Sequence, residues 1–315
     1  MASIADRRTS AVVGGLVGDA AAQPLHWIYN LDKPKSIIGD AKEVAFWRKS
    51  ENPFYCVDTG ENSCYGDQSI TVLKSLVEND GVNIKKLQES FYTTFGPDSP
   101  YESMRNAIYK DKSEAGSQSL PIKGPWRTGN IKDFLKNYSQ GLEKTGSETD
   151  NQIDCVPRVV SAVALYAGQP DMLIRVEEVI RLTQNLNTAV AVGLASARLL
   201  EQYILRGPCD DAVDKVIEQL RDPHRKNPQD LDTTLADLPG AFQSAVHGIV
   251  AIHDYATAIR STIRVGGCNC SRGGFIGACL AAQYGLESIP QEWKKKTKRF
   301  EEIFNLSQKL SQLRS

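Results

Sequence analysis

Three short segments of this 315-residue chain carry the polar side chains with the clearest chemical potential. In the first, Asp19 follows glycines and alanines at helical spacing, from Gly14 to Ala22, so its helix can approach neighbouring helices closely. A carboxylate on so apolar a surface needs hydrogen bonds or a cation, because an isolated buried charge is too costly. Asp19 is therefore either a hydrogen-bonded structural acceptor or part of a ligand cleft.

The second and third segments place polar residues at predicted helix starts. Between Cys64 and Ser69, Asp67 is placed either to cap the helix predicted to begin there or to bind a ligand. In the segment 264–278, Gly266 and Gly267 permit positive φ before a helix of small residues, which can aim side chains and amides at a ligand. Each segment alone also has a plain structural explanation, a helix cap or a tight packing turn.

These segments must be positioned by helices, because apolar residues recur with the helical period and few stretches alternate as a half-buried strand would. The pattern predicts an all-α fold. Gly and Pro mark several ends, such as Gly96-Pro97 and Gly207-Pro208. Helices are predicted at about 6–22, 67–79, 83–95, 101–110, 130–143, 157–167, 171–184, 187–206, 210–220, 239–263, 273–285 and 290–312.

The chain is predicted to form one domain. No linker rich in Gly, Ser or Pro divides it, and the longest irregular stretches, about 31–66 and 111–129, contain aromatic residues that a disordered linker would lack. We therefore expect a single domain over residues 1–315, with its core at about 10–295 and a C-terminal helix at about 290–312.

Composition excludes some partners and favours a compartment. The 37 Lys and Arg balance 38 Asp and Glu, so no overall field would attract nucleic acid or a membrane surface. The basic cluster at 294–299 is predicted to be a solvated helix face. The N-terminal residues Met-Ala-Ser-Ile-Ala-Asp-Arg-Arg lack the uninterrupted apolar run of a signal peptide, and no window approaches the roughly 18 apolar residues of a membrane span. We expect a soluble, cytoplasmic protein with no nucleic-acid or membrane partner, whose seven cysteines are reduced.

Taken together and in this order, the three segments resemble the ADP-ribosylglycohydrolase family. Gly14 to Ala20 matches its Gly-x-x-x-Gly-Asp-Ala helix, Tyr65 to Ser69 its Tyr-Thr-Asp-Asp-Thr motif, and Gly266 to Ser271 its Gly-Gly-Asp-Thr-Asp-Thr motif. The similarity spans about residues 10–295. Within the family, Tyr-Gly-Asp-Gln and Asn-x-Ser-Arg look most like the branch that contains crystallins, structural proteins of jellyfish eye lenses.

The resemblance implies an orthogonal multi-helix bundle with a cleft for ADP-ribose, in which active members use two magnesium ions to cleave a glycosidic bond to ADP-ribose. The positions that correspond to the family's metal ligands are Gly66, Asp67, Gln68, Cys268, Cys270 and Ser271. Asp67 alone keeps a carboxylate, and thiols are the wrong ligands for a hard cation. We therefore expect a degenerate metal site, with no resident metal or cofactor and no catalytic residue.

Zinc and a disulfide are alternative uses of the two cysteines. Asp67, Cys268 and Cys270 with a histidine would make a zinc-binding set, although the one-residue spacing is tighter than in common zinc knuckles. A Cys268–Cys270 disulfide would close a very short, strained loop. Both are less favoured than free thiols.

Three functions remain open. The favoured one is a structural lens protein whose partners are itself or other lens proteins at high concentration. The second is a metal-independent hydrolase of ADP-ribosyl bonds, with Asp19, Asp67 or Asp154 as acid or base. In this hydrolase Arg158 or Arg272 is a candidate to hold the pyrophosphate. The third is a pseudoenzyme that binds ADP-ribose without turnover, through Asp67, Asn151, Arg158, Ser271 and Arg272. The candidate ligand-cleft residues are Asp19, Asn151, Arg158 and Arg272.

Overall fold

The structure is a computed structural model that describes residues 2–30, 32–108, 119–222, 224 and 239–314. Helices account for most of these residues, so the predicted all-α class is confirmed. The helices are α1 (Ile4–Ala22), α2 (Asp32–Ile38), α3 (Cys64–Glu78), α4 (Ile84–Phe95), α5 (Gly129–Ser139), α6 (Cys155–Arg158), α7 (Val160–Tyr166), α8 (Met172–Arg181), α9 (Asn187–Arg206), α10 (Ala212–Arg221), α11 (Gly240–Ala251), α12 (Tyr255–Val265), α13 (Asn269–Tyr284), α14 (Gln291–Lys296) and α15 (Phe300–Gln312).

Short elements complete the described chain. Gln23–Leu25 and Leu286–Ser288 are 3₁₀ turns that follow α1 and α13. Two strands, β1 (Tyr55–Cys56) and β2 (Ile122–Lys123), pair in parallel with Tyr55 opposite Ile122. No helix of the described residues combines the length and apolar character needed to cross a membrane.

Helices α1 and α13 form the centre of the fold and run antiparallel. Their contact is a glycine seam, in which Gly14 faces Gly277, and Gly18 faces Gly273. A Cβ added at Gly14 would lie 2.5 Å from the Gly277 carbonyl oxygen, so the two backbones approach as closely as glycine allows. The small-residue pattern in the sequence therefore positions the two segments that carry Asp19 and Cys268.

The remaining helices surround this pair. Helix α9 is buried on nearly all sides and contacts α1, α7, α8 and α13, as its apolar composition predicts. Helix α15 covers α1, α3 and α7, and α11 and α12 cover α13. One continuous set of buried apolar side chains extends from Ala11 in α1 to Leu310 in α15.

The predicted helix at 101–110 is wrong where the structure describes it. Residues 101–108 form turns, and the other two residues lie outside the described ranges. The Asn106 side chain donates to the carbonyl oxygens of Tyr101 (2.8 Å) and Pro125 (2.9 Å), and its Oδ1 accepts from the Arg127 N–H (3.0 Å). The bonds to Pro125 and Arg127, 19 and 21 residues away, hold residues 101–108 as a loop against this later segment, and no local sequence pattern predicts them.

Other differences concern helix boundaries. The predicted helix at 239–263 breaks at residues 252–254, where the Asp254 side chain caps α12 by accepting from the Thr257 N–H at 2.8 Å. The predicted C-terminal helix is two helices, because the Lys298 N–H leaves the helical ladder to bond the Gly60 carbonyl at 3.0 Å. The predicted helix at 157–167 divides into α6 and α7, and α2 lies in a stretch predicted to be irregular.

Candidate functional site

The three chemistry-bearing segments meet where α1 ends and α3 and α13 begin. Gly266 and Gly267 adopt positive φ, 72° and 65°, as their sequence permits. Gly267 exchanges backbone hydrogen bonds with the segment after α1: its N–H donates to the Ile28 carbonyl (2.8 Å), and its carbonyl accepts from the Trp27 N–H (2.9 Å). This turn fixes the start of α13 beside the end of α1.

Asp19 is a buried acceptor that holds the start of α3. Its carboxylate accepts from the Asn62 side chain (2.9 Å), the Ser63 N–H (2.8 Å) and the Ser63 hydroxyl (2.5 Å). Burial raises the pKa of Asp19 to about 6, and these hydrogen bonds oppose the rise. Gly66 packs so closely that a Cβ there would lie 2.2 Å from Asp19 Oδ1. The geometry is that of a hydrogen-bonded structural carboxylate.

Asp67 lies in the first turn of α3 and is not its cap. The helix begins at Cys64, earlier than predicted, and the cap is Ser63, whose hydroxyl accepts from the Tyr65 N–H. Asp67 Oδ2 accepts from the Tyr101 hydroxyl at 2.6 Å, and Oδ1 lies 3.5 Å from the Arg299 guanidinium. Burial raises the pKa of Asp67 to about 6, which the Tyr101 hydrogen bond and the Arg299 charge oppose.

Arg158 and Gln68 form a buried pair. Arg158 is fully buried and donates to Gln68 Oε1 at 2.7 Å and more weakly to the Ile180 carbonyl and Gln184 Oε1, both at 3.4 Å. Arg158 Nε and Gln68 Nε2 are buried without a hydrogen-bond partner among the described residues. Burial lowers the pKa of the guanidinium, although neighbouring acidic groups oppose this. Arg158 is thus directed into the protein and not toward solvent.

Asp154 is the most perturbed carboxyl group of the site. It is buried, and its pKa is raised to about 8, first by burial and then by the charge of Asp150. Arg158 and a hydrogen bond from the Tyr65 hydroxyl only partly offset the rise. At neutral pH this pKa favours the protonated form of Asp154, which the sequence named as a candidate acid or base without any sign of the raised pKa.

The start of α13 presents two different cysteines. Cys270 is fully buried, whereas Cys268 is partly exposed, with its Sγ 3.0 Å from Ser271 Oγ and 3.3 Å from the Tyr65 hydroxyl. All seven cysteines are free. No group of three or more His, Cys, Asp and Glu side chains that could hold a metal occurs within the described ranges.

The Arg272 guanidinium is also engaged by hydrogen bonds within the protein. It donates to Thr262 Oγ1 at 3.0 Å and to the Gly266 carbonyl at 2.5 Å, and these bonds hold the glycine turn against α12. Of the four candidate cleft residues, Asn151 alone is exposed. Asn151, Asp154 and Cys268 line one cavity of about 240 Å³, together with Gln152, Ile153, Thr188, Pro239 and Ala241.

His26 is the residue of this region that sequence reasoning missed. It is completely buried, with Nε2 3.7 Å from Cys268 Sγ and Nδ1 2.9 Å from the Tyr55 hydroxyl. Burial lowers its pKa well below the ordinary value. The signal was weak, because His26 lies just beyond the first segment, after Pro24, and in no recognised ligand motif.

A family model described as ADP-ribosylglycohydrolase matches residues 1–315. The chain belongs to the ADP-ribosylglycohydrolase family. Two relatives from Tripedalia cystophora are similar over almost their whole length: crystallin J1A is 36% identical and crystallin J1B 32% identical, each match covering 98% of this chain and 97% of the relative. A solved structure named ADP-ribosylglycohydrolase-related protein complex shares the fold, with a TM-score of 0.73, 19% identity and complete coverage of both chains.

We name as the polar cluster the side chains of Asp19, Asp67, Gln68, Asp154, Arg158 and Cys268. The positions that the resemblance assigns to the family's metal ligands lie at the starts of α3 and α13, and Cys268 contacts Tyr65 between them. The two segments that the resemblance paired are therefore neighbours in the folded chain.

Proposed function

We propose that this protein is a crystallin, a structural protein of the eye lens, which derives from the ADP-ribosylglycohydrolase family and does not hydrolyse ADP-ribosyl bonds. Its similarity to crystallins J1A and J1B, at 36% and 32% identity across 98% of the chain, carries the proposal. The side chains at the family's metal-ligand positions support it. We further propose that it resides in the cytoplasm of lens cells, associated with itself or other lens proteins at high concentration.

The residues at the aligned positions do not fit a pair of magnesium ions. Such a pair carries four positive charges, and Asp67 is the one carboxylate among the six positions. Asp67 is already engaged by Tyr101 and Arg299, and Gln68 Oε1 by Arg158. Cys268 and Cys270 offer soft sulfur where magnesium prefers oxygen at about 2.0–2.1 Å. No catalytic step is therefore assigned to a metal.

The two cleft arginines support the structural role for a separate reason. A pyrophosphate needs guanidinium groups that can turn toward it. Arg158 and Arg272 are both buried and donate to protein oxygens instead, Arg158 to Gln68 and Arg272 to Gly266. Anchoring ADP-ribose through them would break these bonds and leave buried acceptors unpaired, which costs about 1–3 kcal/mol each.

A second candidate function is ADP-ribose binding without turnover. The cavity of about 240 Å³ beside Asn151 favours it, because this opening lies next to the aligned metal positions. For a metal-independent hydrolase, Asp154 is the favoured acid of the three candidates, because it lines this cavity and burial raises the pKa of its carboxyl group to about 8.

Calorimetry with ADP-ribose, with and without magnesium, tests the proposal at the site. We expect no magnesium-dependent binding and no release of ADP-ribose from an ADP-ribosylated protein, whether or not a chelator is present. Magnesium-dependent turnover that a chelator abolishes would contradict it, and metal-independent binding would favour the second candidate. The lens role is tested by the abundance of the chain, which should be a major soluble component of lens tissue and minor elsewhere in the animal.

A further inference from the structure

Cys268 and His26 form a thiol–imidazole pair that the proposed lens role does not use. Cys268 Sγ lies 3.7 Å from His26 Nε2, within reach of a long sulfur hydrogen bond, and the hydroxyls of Ser271 (3.0 Å) and Tyr65 (3.3 Å) lie nearer to it. On the other side of the ring, His26 Nδ1 lies 2.9 Å from the Tyr55 hydroxyl. The arrangement therefore brings together a nucleophile, a base and a group that orients the base.

The fold holds this pair from both sides. The backbone bonds between Gly267 and the segment 27–28 align the two partners, and the Asn269 side chain donates to the Leu25 carbonyl at 2.9 Å. The imidazole also packs against the Trp27 ring, with centroids 4.5 Å apart, and against the edge of Tyr65. His26 therefore cannot turn away from Cys268 without breaking packed contacts.

One member of the pair is accessible. Cys268 lines the cavity of about 240 Å³ together with Asn151, Asp154 and Thr188, whereas His26 is enclosed. This volume is below the roughly 300–1,000 Å³ of common ligand pockets, so it suits a small molecule. Among the other thiols, Cys64, Cys155, Cys270 and Cys279 are buried, Cys209 is half-buried like Cys268, and Cys56 is exposed. Cys268 thus combines access with a base.

We propose that Cys268 is a modification site for small, uncharged α,β-unsaturated carbonyl compounds, with His26 as the base. Sγ forms a bond to the β-carbon, and the carbon–carbon π pair moves to give an enolate. The thiol proton passes to Nε2 and then to the α-carbon. The product is a thioether, and no oxidant or leaving group takes part. The inference does not depend on the lens role.

The resting pair is neutral, so proton transfer accompanies the attack. Burial raises the pKa of the Cys268 thiol and lowers that of His26, and both shifts disfavour a standing thiolate–imidazolium pair. To accept the proton at Nε2, the imidazole must carry its hydrogen on Nδ1 and donate it to the Tyr55 oxygen. Tyr55 therefore acts as a positioning residue through the imidazole.

Alkylation with acrylamide tests the proposal on the full-length protein. The rate at each cysteine is measured by peptide mass spectrometry at neutral pH, and Cys56 serves as an exposed reference within the same molecule. His26→Gln should slow alkylation of Cys268 by at least about tenfold, a modest fraction of what general bases contribute, and leave Cys56 unchanged. The proposal fails if Cys268 stays unmodified while Cys56 reacts completely, or if the Cys268 rate is the same in folded His26→Gln.

A second variant covers the case in which His26→Gln does not fold. Tyr55→Phe keeps the ring and removes the hydroxyl that orients the imidazole, so it should slow Cys268 several-fold and leave Cys56 unchanged. Equal Cys268 rates in Tyr55→Phe and the unmodified chain would overturn the role of the imidazole. Melting curves recorded on each variant confirm that the comparison is made on folded protein.

Discussion

Helices α1 and α13 meet along the glycine seam, and beyond it the end of α1 and the start of α13 contribute Asp19 and Cys268 to the polar cluster. In the seam, backbone touches backbone, and Gly14 and Gly277 leave no room for a Cβ. The polar cluster instead contains acidic, basic, amide and thiol side chains. Some of their buried atoms, such as Arg158 Nε, have no hydrogen-bond partner among the described residues. The difference indicates that close packing constrains this fold more tightly than the identity of its polar groups.

The largest effect should come from adding a methyl group to the glycine seam. A Cβ at Gly277 would lie 2.4 Å from the Gly14 carbonyl oxygen, so Gly277→Ala must push two helices apart. We expect a loss of about 3 kcal/mol in the free energy of unfolding, measured by denaturant titration. The matched control is Gly240→Ala in α11, where no heavy atom lies within 4 Å of the new carbon. Equal losses in both variants would show that the seam is not the constraint.

The second-largest effect concerns Asp154 in the polar cluster. Unlike the effect of the glycine seam, it should depend on pH. The pKa of Asp154 is raised to about 8, so the folded state binds its proton more tightly than the unfolded state does. Its contribution is therefore favourable at low pH, and stability declines as pH rises from about 4 toward 8. Asp154→Asn removes this loss and should stabilise the protein by about 2 kcal/mol at pH 9, with little change at pH 4.

Melting temperatures of Asp154→Asn and the unmodified chain across this pH range provide the measurement. Asp58→Asn is the control, because Lys298 lowers the pKa of that exposed carboxyl group. It should give no gain at high pH. If the melting temperatures of Asp154→Asn and the unmodified chain differ by the same amount at every pH, the pKa of Asp154 is the same in the folded and unfolded protein.

The same comparison explains what the sequence could and could not predict. The seam was predictable, because small residues at helical spacing in 13–22 and 273–282 specify a close contact whatever the partner. The structure also brings the start of α3 next to the start of α13, through the contact between Tyr65 and Cys268. The partners of the polar groups were not predictable: Arg299 reaches Asp67 across 232 positions, and Cys268 meets His26 across 242. Such pairs depend on how helices pack, which no local period encodes.

A third effect should appear when carboxylates are placed at the starts of α3 and α13. The variant with Gln68→Asp, Cys268→Asp and Cys270→Asp places four carboxylates, with Asp67, on the first turns of α3 and α13. We expect at least a tenfold gain in magnesium affinity, about 1.4 kcal/mol, measured by calorimetry. The control carries Gln68→Asn, Cys268→Ser and Cys270→Ser, which change the same positions without charge. If the two triple variants bind magnesium equally, the two turns do not converge on one ion.

The smallest effect tests the contact that joins the polar cluster to the C-terminal helix. Arg299 donates to Glu302 at 2.8 Å and lies 3.5 Å from Asp67, and its side chain is 30% exposed. Arg299→Ala should cost about 1 kcal/mol or less at neutral pH, because partly exposed ion pairs contribute little. Lys295→Ala, which removes an exposed pair with Glu292, should cost less still.

The stability cost of Arg299→Ala should depend on pH, whereas the cost of a simple loss of packing would not. Arg299 and Lys74 lower the pKa of Glu302 to about 2, so the folded state favours its ionised form. This stabilisation is present above the ordinary carboxyl pKa and is lost as pH falls toward 2, because the folded state must then take up the proton. The difference between Arg299→Ala and the unmodified chain should therefore shrink between pH 6 and pH 3. A difference that is unchanged over this range would assign the effect of Arg299 to its packing alone.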